Sequence, residues 1–141
     1  MVIAVMGILV FGIVAVMTID IGYLMCEDAA MQATADAATL AGADELLRQK
    51  LNGVCEEDAR SAALTEAGEI VCANSSKVGW ETAFGIRDSN GDFVEKDTST
   101  DCWAVKVTVT RNSDAPAGRL ALFFAPVFGF DDTDMACTAV A

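Results

Sequence analysis

Met1–Ile19 reads MVIAVMGILVFGIVAVMTI, a stretch without one charged side chain, closed by Asp20. Wound as an α-helix at about 1.5 Å per residue it reaches roughly 28 Å, close to the hydrocarbon thickness of a bilayer. Such a segment needs lipid, or an equally apolar protein environment. A signal peptide or cytoplasm-anchored span carries Lys or Arg just ahead of its apolar run. Here the first cation is Arg48, and the residues after the run (Asp20, Glu27, Asp28, Asp36) are acidic. The expectation is that a basic leader has been cut off and that Met1 is a mature N-terminus. With no A-x-A site downstream, the apolar segment itself is expected to be retained in an exported protein.

The helical pattern runs on past Asp20. Positions 26, 30, 33, 37, 40, 44, 47 and 51 step by alternating four and three, and only Asp44 interrupts their small and apolar side chains. No proline precedes Pro116. One nearly continuous helix is expected from about residue 2 to 51, stopped at Asn52-Gly53 and about 75 Å long. This divides the chain into a long N-terminal helix, 1–52, and a globular head, 53–141. The helix is apolar over 1–19 and amphipathic and Ala-rich over 20–52. A helix that outruns its own domain packs against other chains. Ala29, Ala30, Ala33, Ala35, Ala37, Ala38, Ala41, Gly42 and Ala43 would let helix backbones approach closely. An alanine-rich face lying on its own head is an equal reading, and the two can coexist. Gly7 and Gly12 read as close helix contacts or as ordinary membrane-helix glycines.

Glu56 to Cys72 forms a second helix, with Ala59, Ala63, Ala67 and Ile70 on one face and acids in its first turn. The period then changes to two. Trp80, Thr82, Phe84 and Ile86 alternate with Glu81, Ala83, Gly85 and Arg87. Asp88-Ser89-Asn90-Gly91-Asp92 is a hairpin turn before Phe93-Val94. A three-residue loop with Gly91 left-handed, setting Ile86 opposite Val94, is preferred to a two-residue Asn-Gly loop setting Asp88 against Phe93. Trp103, Val105, Val107 and Val109 predict a strand through Arg111. Arg119 to Phe128 reads as a short apolar helix and Met135 to Ala141 as a last strand. The fold class is α+β: a long hydrophobic stem carrying a head with a second helix, a three- or four-stranded antiparallel sheet and a short C-terminal helix.

The net charge of −12, with 21 acids against 9 bases, argues against a nucleic-acid or anionic-lipid partner. It suits a solvated surface outside the cell. There is no histidine and no C-x-x-C, so zinc and haem motifs are unsupported, as is any Cys-His or Ser-His pair. No cofactor and no enzymatic constellation is expected. Five cysteines in an exported domain make disulfides plausible, with an odd one left over. Connectivity is open. Cys102 and Cys137, on the two outer strand candidates, are the first expected pair, whereas Cys55 and Cys72 flank one helix and are too far apart. Asp88, Asn90 and Asp92, with Asp97 and Asp101 nearby, offer oxygen ligands for a surface cation such as Ca²⁺. They lack the EF-hand frame, so a plain turn is the stronger reading, as it is for Asp131, Asp132 and Asp134. Asn74-Ser75-Ser76 is a glycosylation sequon in a predicted loop. Asp20 is read as a helix residue at a membrane surface. The sharper alternative pairs it with a neighbour's N-terminal amine or another subunit's cation inside a fibre.

Three stretches together resemble the TadE/TadG-like proteins of Tad (Flp) pilus systems. They are the apolar run ending in Ile19-Asp20-Ile21-Gly22-Tyr23; the segment Gln32-Ala33-Thr34-Ala35-Asp36-Ala37-Ala38-Thr39-Leu40-Ala41-Gly42-Ala43, similar to an A-D-A-A-x-L-A-G-A signature; and a C-terminal part. That part comprises Ala104–Val109, Leu122-Phe123-Phe124-Ala125-Pro126-Val127-Phe128-Gly129-Phe130 and Cys137–Ala141. The resemblance implies a pilin-like protein, processed by a prepilin peptidase and moved by the Tad-type assembly machinery from the inner or cytoplasmic membrane into an extracellular filament or its tip. The acidic residue of major pilins at the fifth mature position is absent, since Val5 stands there. Longer relatives carry a von Willebrand A-type domain, which this chain has no room for.

The expected function is that of a structural subunit polymerising with copies of itself. Val2, Ile3, Val5, Met6, Ile8, Leu9, Phe11, Ile13, Val14, Val16 and Met17, with Asp20, would form the self-assembly surface. A membrane-anchored assembly component and an envelope binding module are the competing readings. Stem side chains continuing past membrane depth would favour the fibre, and a conspicuous pocket in the head would favour binding.

Overall fold

The computed structural model describes residues 2–96 and 102–141; Met1, Asp97 and Asp101 lie outside the described residues, as do the side chains of Val2, Leu9 and Phe128. The first helix, α1, runs unbroken over Val2–Leu51, since nothing in those 50 residues removes an amide donor or demands a left-handed turn. It stops where Gly53 takes φ +76° and the amides of Gly53 and Val54 bond back to the carbonyls of Lys50 and Gln49. The second helix, α2, spans Glu56–Asn74, with Glu56, Glu57 and Asp58 at its positive end. It continues two residues beyond Cys72, and Asn74 lies in its last turn, its side-chain amide donating to the Ile70 carbonyl at 2.9 Å, rather than in a loop.

Four strands make the main sheet: β1 (Gly79–Arg87), β2 (Phe93–Glu95), β3 (Ala104–Arg111) and, last in the chain, β6 (Met135–Val140). Their order is β2-β1-β3-β6, antiparallel throughout. In the β1–β2 hairpin Ile86 faces Val94 and Gly91 sits at φ +89°, the three-residue turn. Val105, Val107 and Val109 of β3 are fully buried opposite Phe84, Thr82 and Trp80. Lys106, Thr108 and Thr110 point to the other face. Trp103 precedes β3 and stays 61% exposed at the far end of α1, with the Lys50 ammonium 4.3 Å from its ring centre.

The predicted helix over Arg119–Phe128 is not formed. Leu120–Ala121 (β4) pairs instead with Asp132–Thr133 (β5), and only one 3₁₀ turn, Ala125–Phe128, follows. Pro126 and Gly129 confine helical geometry to that turn: the first lacks an amide donor, and the second is left-handed at φ +85°. Leu120 is fully buried and pins β4 to the head.

Both helices pack on one face of the sheet. Met31, Ala35, Ala38 and Leu46 of α1, and Ala59, Ala63, Ala67 and Val71 of α2, meet the β3 valines, Cys137 and Ala139. Gly42 marks a close approach of the two helices. A Cβ there would lie 3.3 Å from the Ala63 carbonyl oxygen and 3.3 Å from the Ala67 methyl. The inward stripe of α1 is therefore Met31, Ala35, Ala38, Gly42 and Leu46. The seam read from sequence (Cys26, Ala30, Ala33, Ala37, Leu40, Asp44, Leu47, Leu51) is exposed along its whole length. Ala35 and Ala38 thus lie inside the head, while Ala30, Ala33 and Ala37 face outward.

One carboxylate ties the helices to the start of β3. Glu56 accepts from Lys50 at 2.8 Å, from Arg60 at 2.9 Å, and from the Cys102 thiol at 2.8 Å and amide at 3.2 Å. Burial would raise its pKa. The hydrogen bonds from Cys102, Lys50 and Arg60 and the Lys50 charge outweigh burial and hold it at about 2.

Candidate functional site at the end of the apolar stem

From Ile3 to Ile19 the large side chains of α1 are 38–89% exposed, with Val16 half-buried. The structure thus places Ile3, Val5, Met6, Ile8, Phe11, Ile13, Val14 and Met17 on one bare stem, together with the backbones of Val2 and Leu9. The same helix is long and apolar enough to cross a membrane. Where the bare stretch ends, the head folds back beside it.

Asp20 is the junction. It is only 5% exposed and accepts from three successive amides of a segment more than a hundred residues away. Phe123 donates to Oδ1 at 2.9 Å, Ala125 to Oδ2 at 2.7 Å, and Phe124 is shared between them at 3.3 and 3.1 Å. Ala125 opens the 3₁₀ turn and Phe123 and Phe124 lead into it, so Asp20 holds the entry of the turn, where amides lack internal partners, from another element. A carboxylate suits the task because both oxygens only accept. Both Asp20 oxygens are thus engaged within the chain, in an intramolecular clamp.

The clamp sets an apolar loop against the stem. Leu120–Phe130 contains no charged residue, and Arg119 ahead of it pairs with Asp132 at 3.3 Å and Asp134 at 2.9 Å. Tyr23 meets Phe123 edge-to-face with ring centres 5.1 Å apart. Leu122, Ala125 and Phe130 face Val16, Met17, Ile21 and Leu24 across a groove of about 470 Å³. Phe123 (66%), Val127 (80%) and Phe130 (67%) are nonetheless exposed. No spacing rule links Asp20 to residue 123, so sequence reasoning missed this partnership. The available signals were an acid that had to be accommodated at the end of an apolar run and an uncharged, aromatic stretch of eleven residues elsewhere.

The remaining candidates stand apart from this junction. Asp88 Oδ1 accepts the amides of Asn90 and Asp92 at 2.8 and 2.9 Å, so it caps its own turn. Among the described residues no three acidic or sulfur side chains converge where a metal could sit. Cys102 and Cys137 do not meet. Cys137 pairs with Val109, seven residues along from Cys102, roughly 23 Å at strand rise. Each buried thiol has its own acid: Glu56 for Cys102 and Asp28, at 3.3 Å, for Cys137. Burial and those carboxylates push both thiols up to about 11. The outer face of the sheet carries a depression of about 100 Å³ around Glu81, Ala83 and Lys106.

Residues 1–45 match the model of the Tad family, described as "Putative Flp pilus-assembly TadE/G-like". The match covers the bare stem, Asp20 and the Asp36 segment, and relates that part of the chain to Tad pilus assembly; the clamped loop and the sheet lie beyond it. No curated protein and no solved structure matches the chain.

Proposed function

We infer that the protein is a pilin-like structural subunit of a Tad (Flp)-type system. It is held in the membrane by the first part of α1 before assembly, and α1 packs against copies of itself in an extracellular filament. One observation carries this reading: the exposed apolar surface does not end at the membrane-length stretch. It climbs the outer face of α1 from Cys26 through Ala33 and Leu40 to Leu51, past the clamp and alongside the folded head. An anchor needs only the first part. Burying a large aliphatic side chain is worth about 1.5–3 kcal/mol, so a dozen stem residues enclosed by neighbours would hold a non-covalent polymer firmly. In lipid those side chains are already satisfied. Leaving the membrane then requires helix packing and an extracting machine, the place for the Tad-type assembly apparatus and prepilin peptidase.

A second reading, a membrane-anchored assembly component, is favoured by the clamp, because Asp20 is satisfied without any subunit partner. Electron microscopy of material sheared from cells, with mass spectrometry of the fibre subunit, separates the two. Fibres built of this chain support the filament. Its confinement to the membrane fraction as single or small complexes refutes the filament and leaves the anchor.

A further inference from the structure

We propose that the loop Leu122–Phe130 is a second membrane contact, a foot that inserts into the interfacial layer of the bilayer and seats the head on it. The proposal rests on the reading that the first part of α1 lies in lipid before assembly. Val16 and Met17, which share the groove with Leu122, Ala125 and Phe130, lie on the apolar run about 5 Å short of Asp20 along the helix. The loop therefore hangs past the level at which the stem leaves the hydrocarbon. Its exposed side chains include Phe123, Phe124, Val127 and Phe130, and half-buried Tyr23 packs on the Phe123 ring. Tyr favours that depth, and Phe is a usual apolar anchor of segments that lie in the interface. A loop exposing this much apolar surface to water, continuous with a bare stem, is otherwise unexplained on an acidic, well-solvated head.

Backbone at that depth must have its polar groups satisfied. The amides of Phe123, Phe124 and Ala125 go to Asp20, those of Val127, Gly129 and Phe130 bond within the turn, and Pro126 has none. The charges begin immediately outside: Arg119 on one side, and Asp131, Asp132 and Asp134 on the other. Those acids make the partner a zwitterionic surface, since an anionic one would repel them.

The test uses the full chain reconstituted into phosphatidylcholine vesicles, with Val127→Trp read against wild type. The native Trp80 and Trp103 sit in the sheet and at the far end of α1. Lipids brominated near the top of the acyl chain should quench most of the added emission, which should also be blue-shifted. Adding Asp20→Asn to this variant, which leaves a single acceptor oxygen for three amides, should reduce that quenching while the protein still floats with the vesicles. Floating protein whose introduced indole is unquenched overturns the foot and leaves the stem in lipid. A blue shift without quenching also overturns it, by showing a second copy covering the loop. Equal quenching with and without Asp20→Asn overturns the role of the clamp. Protein that fails to float overturns the stem reading itself.

Discussion

Glu56→Gln removes one charge from the point where α1, α2 and β3 meet, and the geometry fixes what that charge is worth. The carboxylate is 23% exposed and lies 2.8 Å from a Lys50 side chain only 9% exposed. Its pKa falls from 4.5 to about 2 in the folded protein, and each pKa unit corresponds to about 1.4 kcal/mol, so ionised Glu56 contributes roughly 3 kcal/mol at neutral pH. The sign follows from linkage. Between pH 2 and 4.5 the unfolded chain binds more protons at this position than the folded one, so stability rises with pH across that window. The contribution is complete above about pH 5, less than half remains at about pH 3, and it vanishes below about pH 2. Glutamine keeps the shape and an acceptor oxygen but not the charge. Denaturant unfolding of both proteins in the same detergent, followed by circular dichroism, should therefore give a gap of about 3 kcal/mol at about pH 7 that closes on acidification to about pH 3 and below. A gap that is absent at neutral pH, or that is equally large in neutral and acidic buffer, refutes the assignment of the stabilisation to the ionised carboxylate.

Other consequences are simpler to measure. Gly42→Val forces a branched side chain against the Ala63 carbonyl, and thermal unfolding should show a loss of about 1–3 kcal/mol. Leu120→Ala empties a fully buried position and should cost about 2–5 kcal/mol in denaturant unfolding. Among the described residues Thr82 Oγ1 is the buried side-chain oxygen without a hydrogen-bond partner, so Thr82→Val should stabilise by about 1 kcal/mol; a clear loss of stability would mean that the hydroxyl is satisfied. A thiol-specific reagent at about pH 8 should react quickly with Cys26, Cys55 and Cys72, which are exposed, and slowly with Cys102 and Cys137, which are buried with pKa values of about 11. Equal rates for all five would contradict the packing of the head.

Local chemistry made much of this fold legible. The length of α1 follows from 50 residues without a breaker, its end from Gly53, and the hairpin register from the position of Gly91. The period-two pattern located β1, β3 and β6 within a residue or two. Failures came where a partner distant in sequence decides the outcome. Arg119–Phe128 has the apolar composition of a short helix, but Leu120 and Ala121 are drawn into a pairing with Asp132 and Thr133, and the amides that would extend a helix bond to Asp20. Cys102 lies two residues ahead of β3, an inner rather than an outer strand, and Cys137 lies on the adjoining β6, paired with Val109, seven residues along from Cys102; register between β3 and β6 has no short-range signal. The heptad seam was real as a pattern, but sequence cannot say which of two small-residue stripes on one helix faces its own head. Gly42 distinguishes them only once Ala63 and Ala67 are known to lie across from it.

The two stripes have a consequence for how subunits could choose each other. The bare stem is apolar on every side, so it would bind a neighbour's stem strongly while fixing neither register nor rotation, because one apolar contact is much like the next. Asp20 would have been the obvious register mark, but its oxygens are engaged by Phe123, Phe124 and Ala125 and offer a neighbour little. What remains on the outer face of α1 is shaped rather than merely apolar. Close-approach positions at Ala30, Ala33 and Ala37 are followed by knobs at Leu40, Leu47 and Leu51, with Asp44 the one charge within this seam and Asp36 and Arg48 exposed beside it. Knobs, flat patches and one polar position are what give helix pairing a preferred alignment. In the filament reading, the stem therefore supplies cohesion and the outer stripe between Cys26 and Leu51 supplies register. Replacing stem residues by other aliphatics should leave assembly intact, whereas Ala33→Leu, which places a knob where a neighbour's backbone would approach, should abolish it without unfolding the head.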